Sequence, residues 1–165
     1  MPVSAMTDEE VLKKAKLKAM KLLEARDYTV ARLRLKLRDA GYTDEISEAA
    51  IEYVRSYGYV DDLRYAQDFI RTSNGVRSRR EVERKLRERG VSADDIRTAF
   101  EAEDYDEEAE AELIKKLILK KCPDPGSMDH KQRNRLYAYM YNKGFSVDRV
   151  DRILEQLLDI TYQRV

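Results

Sequence analysis

Tryptophan is absent from this chain of 165 residues, and cysteine and histidine occur once each, as Cys122 and His130. One cysteine excludes an intrachain disulfide, and one histidine leaves no ligand set for zinc. Cys122, beside Pro123, reads as an incidental thiol. No apolar run approaches the ~18 residues of a membrane span, and Met1 to Glu10 lack the basic and apolar blocks of a signal peptide. A cytoplasmic protein without membrane contact is expected. No glycine-rich nucleotide fingerprint is present, and a Ser, His and Asp set around a single histidine would be coincidence. Neither catalysis nor a cofactor, metal or small-molecule substrate is expected. The acid pair Asp61 and Asp62 could in principle do acid and base work, but at a helix start it reads as an N-cap and a dipole partner.

What the chain does have is a pattern written three times: Leu33, Leu37, Gly41, then Val82, Leu86, Gly90, then Leu136, Met140, Gly144. Apolar residues at i and i+4 with glycine at the next i+4 fit a helix that buries one stripe and ends in a left-handed glycine cap. The glycines recur after 49 and then 54 residues, enough for about three helices per unit. Net charge is zero, yet the charges are banded. Residues 12–38 carry ten Lys or Arg against two Asp or Glu, and 39–68 carry two against eight. Residues 71–90 return eight basic against three acidic, 92–112 give one against ten, and 115–143 give eight against two.

These signals predict an all-α chain of about nine helices in three three-helix repeats, at 8–59, 60–104 and 105–165, behind a flexible tail at 1–7. Repeat one takes helices over 8–26, 29–40 and 44–57, the last two closed by Gly41 and Gly58. Repeat two takes 61–74, 78–89 and 93–102, with Ser78 and Glu81 reading as a capping box and Ser92 as an N-cap. Repeat three takes 106–121, 129–143 and 147–162, the first broken by the loop Cys122 to Ser127. Acid at the start of the 106–121 helix and Lys115, Lys116, Lys120 and Lys121 at its end match the helix dipole and need no ligand.

The most specific basic feature lies on the middle helix of repeat two. With Val82 and Leu86 facing the core, Arg80, Arg84 and Arg87 fall on the opposite side as a ridge, flanked by Arg77, Arg79 and Lys85. Guanidinium groups in line suit phosphates or a row of carboxylates. The equivalent outward positions are Ala31, Leu35 and Arg38 in repeat one and Asn134, Ala138 and Tyr141 in repeat three, so the ridge belongs to repeat two. Lys14, Lys18 and Lys21 line one side of the first helix and are expected to assist. Eleven tyrosines invite base stacking, at Tyr137, Tyr139 and Tyr141 above all. Alternate residues of a helix point in different directions, so most of these rings are expected at core edges.

The segment GYVDDLRYAQDFI, Gly58 to Ile70, followed by GVRSRREVERKLRERGV, Gly75 to Val91, resembles the RecX family of regulators of the RecA recombinase. The match extends more loosely through Leu22 to Tyr59 and Lys143 to Leu154. Where the family has Ser, x, x, Glu, Leu, this chain has Thr29, Val30, Ala31, Arg32, Leu33, so the reciprocal capping box is lost. Asn142, Lys143, Gly144, Phe145 stands where the family tends to have Arg, Arg, Gly, Phe. The resemblance implies an elongated, curved array of three-helix units lying in the groove of the RecA filament on single-stranded DNA. It further implies a non-enzymatic regulator, mainly an inhibitor, that limits filament extension, ATP hydrolysis and strand exchange in recombination, repair and the SOS response. Two other classes remain open: a tandem three-helix nucleic-acid binder acting without RecA, and a structural adaptor for another helical partner.

Overall fold

The computed structural model describes residues 6–163. Nine α-helices and one 3₁₀ turn, with no strand, make up the regular structure of these residues. The helices are α1 Asp8–Ala25, α2 Val30–Asp39, α3 Asp44–Ser56, α4 Asp62–Ser73, α5 Arg79–Glu88, α6 Ala93–Ala102, α7 Glu107–Lys121, α8 His130–Asn142 and α9 Val147–Gln163. The 3₁₀ turn, Pro125–Ser127, occupies the loop that the two nearby prolines keep from continuing α7. The tail expected at 1–7 lies, up to residue 5, outside the described residues. Thr7 itself is the N-cap of α1, closing a capping box with Glu10.

The thrice-written pattern is a Schellman cap on the second helix of each repeat. Gly41, Gly90 and Gly144 have φ of 93°, 83° and 94°, and their N–H groups donate to Arg38, Arg87 and Tyr141 carbonyls at 2.9 Å. The next N–H groups, of Tyr42, Val91 and Phe145, reach back to the Leu37, Leu86 and Met140 carbonyls at 3.2, 3.1 and 3.1 Å. The second apolar residue of each copy is thus the one whose carbonyl the cap closes, and the residue after glycine packs near it.

The described chain divides into two compact units. One comprises the residues up to Asp68 together with Leu86–Ala102. In it α1, α2 and α3 pack on one another around Ala15, Ala19, Leu33, Leu37, Ala50, Ile51 and Val54. The methyl-sized Ala15, Ala19 and Ala50 allow helix axes to approach closely where larger side chains would hold them apart. The same unit holds a junction between α2 and the end of α5. Buried Thr29 accepts the Arg32 N–H at 3.3 Å and donates its hydroxyl to the Arg89 carbonyl at 2.5 Å. Asp62, on α4, accepts the Val30 N–H at 2.9 Å. A carboxylate from another helix thus serves the first turn of α2, at the Val30 N–H rather than at the Thr29 N–H that a reciprocal box would bind. Ala31, expected to face outward, instead meets Gly90, where an added Cβ would overlap the alanine methyl.

The other unit comprises Phe69–Lys85 and the residues from Glu103 onward. Its core gathers Leu113, Ile114, Ile118, Leu136, Met140, Val150 and Leu154 from α7, α8 and α9, with Phe145 from the turn between the last two. Here the start of α5 meets the end of α8 through the same device. Buried Ser78 accepts the Glu81 N–H at 3.1 Å and donates to the Lys143 carbonyl at 2.7 Å. Glu110, on α7, accepts the Arg79 N–H at 3.2 Å. An added Cβ at Gly144 would overlap the Ser78 hydroxyl. In each junction one hydroxyl satisfies an orphan donor of one helix and an orphan acceptor of another.

Candidate functional site

Helix α5 is the most polar of the nine, yet Val82 and Leu86 are fully buried. Those two side chains, the Ser78 cap and the Gly90 cap define which side of α5 is left to solvent. Arg80, Arg84 and Arg87 stand exposed on that side, as their spacing predicts. Arg80 also belongs to the α8 junction: its Cβ is 3.2 Å from where a Gly144 Cβ would be, and its guanidinium lies 5.7 Å over the Tyr141 ring. Packing its stem leaves the charged head presented at a set height rather than swinging freely.

The flanking residues divide by what holds them. Arg77 is half-buried: it donates to the Ser73 hydroxyl at 3.3 Å, approaches Glu81 at 3.8 Å and lies 5.7 Å over the Phe69 ring. Its carbonyl accepts the Tyr105 hydroxyl at 2.9 Å. Burial first, and then the Glu110 charge, push the Tyr105 phenol up to about 12. Arg77 therefore reads as part of the scaffold. Arg79 is exposed and pairs with Glu83 at 3.2 Å, and Lys85 is half-buried. On α1, Lys14, Lys18 and Lys21 are exposed, with the Lys14 ammonium 3.3 Å from the Met6 sulfur. The structure thus gathers Arg79, Arg80, Arg84, Lys85 and Arg87 on one helix with Arg77 in its lead-in, while the three lysines stand on a different element.

The two acids at the start of α4 behave as caps. Asp61 accepts the Arg64 N–H at 3.1 Å, and Asp62 serves Val30. Burial raises the Asp62 carboxyl above its usual range, against the lowering effect of that hydrogen bond. Glu110, one acid among many in its stretch of sequence, is buried and pairs with Arg149. Nothing local in the sequence separates it from Glu107 or Glu108; only its partners do. Ser92 caps α6 by accepting the Asp95 N–H at 3.1 Å.

Tyr137, Tyr139 and Tyr141 take three different roles, as helical geometry requires. Tyr137 donates to Asp151 and holds its carboxyl below the usual range, with help from Arg133. The ammonium groups of Lys121 and Lys143 both lie near the Tyr139 ring, at 4.4 and 5.4 Å from its centre. Tyr141 is the ring under Arg80. Ring-on-ring contact occurs at Tyr53, Tyr57 and Tyr59, which lie outside the tyrosines expected to stack. The string Tyr-x-x-x-Tyr-Gly-Tyr was its visible sign.

The same three-helix divisions are found in other proteins. The families described as the first, second and third three-helix domains of RecX match residues 15–53, 61–99 and 107–154. The chain belongs to the RecX family. A regulatory protein RecX of Amycolatopsis mediterranei is 32% identical over 149 residues, 88% of this chain and 83% of its own length. That of Caldanaerobacter subterraneus is 30% identical over 143 residues, 86% of this chain and 70% of its own. Among solved structures, one of a regulatory protein RecX superposes with a TM-score of 0.78 at 22% identity, covering 94% of this chain and 82% of that one. RecX from Lactobacillus salivarius gives 0.76 at 19%, covering 88% and 96%. These two establish the shared fold. Among the described residues no helix is long and apolar enough to cross a membrane.

Proposed function

We propose that this RecX-family regulator of RecA binds the RecA filament on single-stranded DNA and limits its extension, ATP hydrolysis and strand exchange, without catalysis of its own. The observation that carries the reading is the match of all three RecX domains in order along one chain. The exposed arginines of α5 support a place for the contact. Arg80, Arg84 and Arg87, with Arg79 and Lys85 beside them, present a basic row that suits filament carboxylates or DNA phosphates. Arg77 contributes by fixing the lead-in to that helix, and Lys14, Lys18 and Lys21 add a second basic face. Such charges act chiefly on encounter rate and register.

The test is single-stranded-DNA-dependent ATP hydrolysis by the recombinase of the same organism, with this protein titrated in at substoichiometric amounts. The wild type should inhibit. A variant carrying Arg80→Ala, Arg84→Ala and Arg87→Ala should keep its helical circular dichroism and inhibit at least severalfold less. Unchanged inhibition by the variant would reject the α5 assignment; a wild type that neither inhibits nor binds filaments would reject the reading as a whole.

A further inference from the structure

The C-terminus of α3 carries a ladder of rings whose inner member, Tyr53, packs against the core and whose outer two, Tyr57 and Tyr59, stand exposed. Gly58, at φ 72°, turns the chain in a Schellman cap, its N–H donating to Arg55 and that of Tyr59 to Val54. This reversal sets Tyr59 against Tyr57, whose rings lie 5.7 Å apart at 17° to one another. Tyr53, one turn back, meets Tyr57 edge-on at 5.1 Å. Tyr57 and Tyr59 remain 60% and 50% exposed, so the stack is open to solvent rather than buried beneath another element. An alanine at either position would cost the core little, and two phenol rings lying side by side in water need another explanation.

Cations flank both ends of the ladder. The Lys16 ammonium of α1 lies 4.4 Å from the Tyr53 ring centre, and the Arg64 guanidinium is held to the Gly58 carbonyl at 3.1 Å. Arg64 and Tyr59 share a shallow hollow with Met20, Leu23 and Glu24, so one acid is present among the apolar and basic groups. Near-parallel rings with a solvent-facing side, bounded by two positive charges, match the recognition of unpaired bases: a base extends the ring stack and its phosphates meet the cations. A duplex hides its base faces, so this chemistry selects single strands.

We infer that Tyr57 and Tyr59, with Tyr53, Lys16 and Arg64 around them, form a base-stacking site for single-stranded DNA. The inference deepens the filament reading and rests on it for the strand's presence, but its test does not need the recombinase. Binding of a dye-labelled oligothymidylate is compared by fluorescence anisotropy with an abasic strand of equal length, at low salt and without RecA. Wild type should prefer the base-bearing strand by about fivefold or more, the scale of one stacked base. Replacing both residues by alanine, Tyr57→Ala with Tyr59→Ala, should bring that preference close to one while leaving binding to the abasic strand unchanged. Replacing both by phenylalanine should keep the preference, because the ring and not the hydroxyl carries it.

No binding by wild type, equal binding of the two strands, or an alanine variant that keeps the preference would overturn the inference. Equal strand binding together with weaker filament inhibition by the alanine variant would overturn it in favour of a protein-facing surface. A strand preference that the alanine variant loses, in a wild type that fails to inhibit RecA, would uphold the stacking site while the filament reading fails.

Discussion

Gly41, Gly90 and Gly144 share a sequence context and a backbone conformation, yet they answer to different constraints. All three have positive φ, which an L side chain adopts at a cost of about 1–2 kcal/mol. Gly41 has open space where a Cβ would go, whereas a Cβ at Gly90 would overlap Ala31 and force the α2 junction apart. Gly41→Ala should therefore cost only the conformational term, about 1–2 kcal/mol, and Gly90→Ala clearly more. Urea unfolding followed by circular dichroism measures both, and a larger loss for Gly41→Ala would refute the junction argument. The conformation was legible in the sequence because a cap is local, set by the apolar residue four positions before the glycine. The difference between the copies was not, since Ala31 lies far from Gly90 along the chain and looked like a solvent position.

The two helices that start with buried hydroxyls borrow a carboxylate from elsewhere: α2 from Asp62 and α5 from Glu110. A carboxylate at a helix N-terminus accepts a hydrogen bond and meets the positive end of the dipole. For Asp62 burial outweighs that gain, so the folded state holds its proton more tightly than the unfolded chain does. The sign follows: ionised Asp62 is a cost at neutral pH, and the cost fades as pH falls through the raised folded-state value. Asp62→Asn keeps an acceptor for the Val30 N–H and removes the charge. It should be at least as stable as wild type at neutral pH and lose any advantage in mildly acidic buffer. Asp62→Ala should lose about 1 kcal/mol in mildly acidic buffer, the net worth of one hydrogen bond, and less at neutral pH, where it also removes the buried charge. Chemical denaturation at the two pH values decides, and an asparagine variant as weak as alanine would show that the charge itself is needed. Helix positions themselves were readable to within a residue or two, from Ser92, Asp61 and Gly58 as punctuation. The carboxylate loans were not, because nothing local tells Asp62 from Asp61 or Glu110 from Glu107, Glu108 and Glu112.

Over the whole molecule, zero net charge conceals bands of opposite sign. A neutral chain has little long-range pull on a polyanion, so its electrostatic association depends on local basic rows meeting complementary surface at short range. The proposed inhibition of RecA should accordingly weaken as salt rises, and the Arg80, Arg84 and Arg87 triple alanine variant should show a shallower salt dependence than wild type. Titrating inhibition at several ionic strengths measures the two slopes, and equal slopes would remove α5 from the electrostatic contact. The candidate row was legible because Val82 and Leu86 alone dictate which side of α5 is wet. The standing of its members was not: Arg77 is tied to Ser73 and Phe69, and Arg80 leans on Tyr141, through partners contributed by other helices.

Nine helix positions, their glycine caps and their buried stripes could be read from residues a few positions apart, and the RecX kinship from the motifs of Gly58 to Val91; the Thr7 and Asp129 capping boxes went unread. Folding alone brings Thr29 and Ser78 to close the ends of two helices at once, buries Glu110 against Arg149, and sets Tyr57 and Tyr59 face to face in the open. The two sets differ in range. A cap or an apolar stripe is satisfied within one turn of helix, whereas a shared hydroxyl, a buried ion pair or a ring stack around a chain reversal depends on groups that only folding brings together.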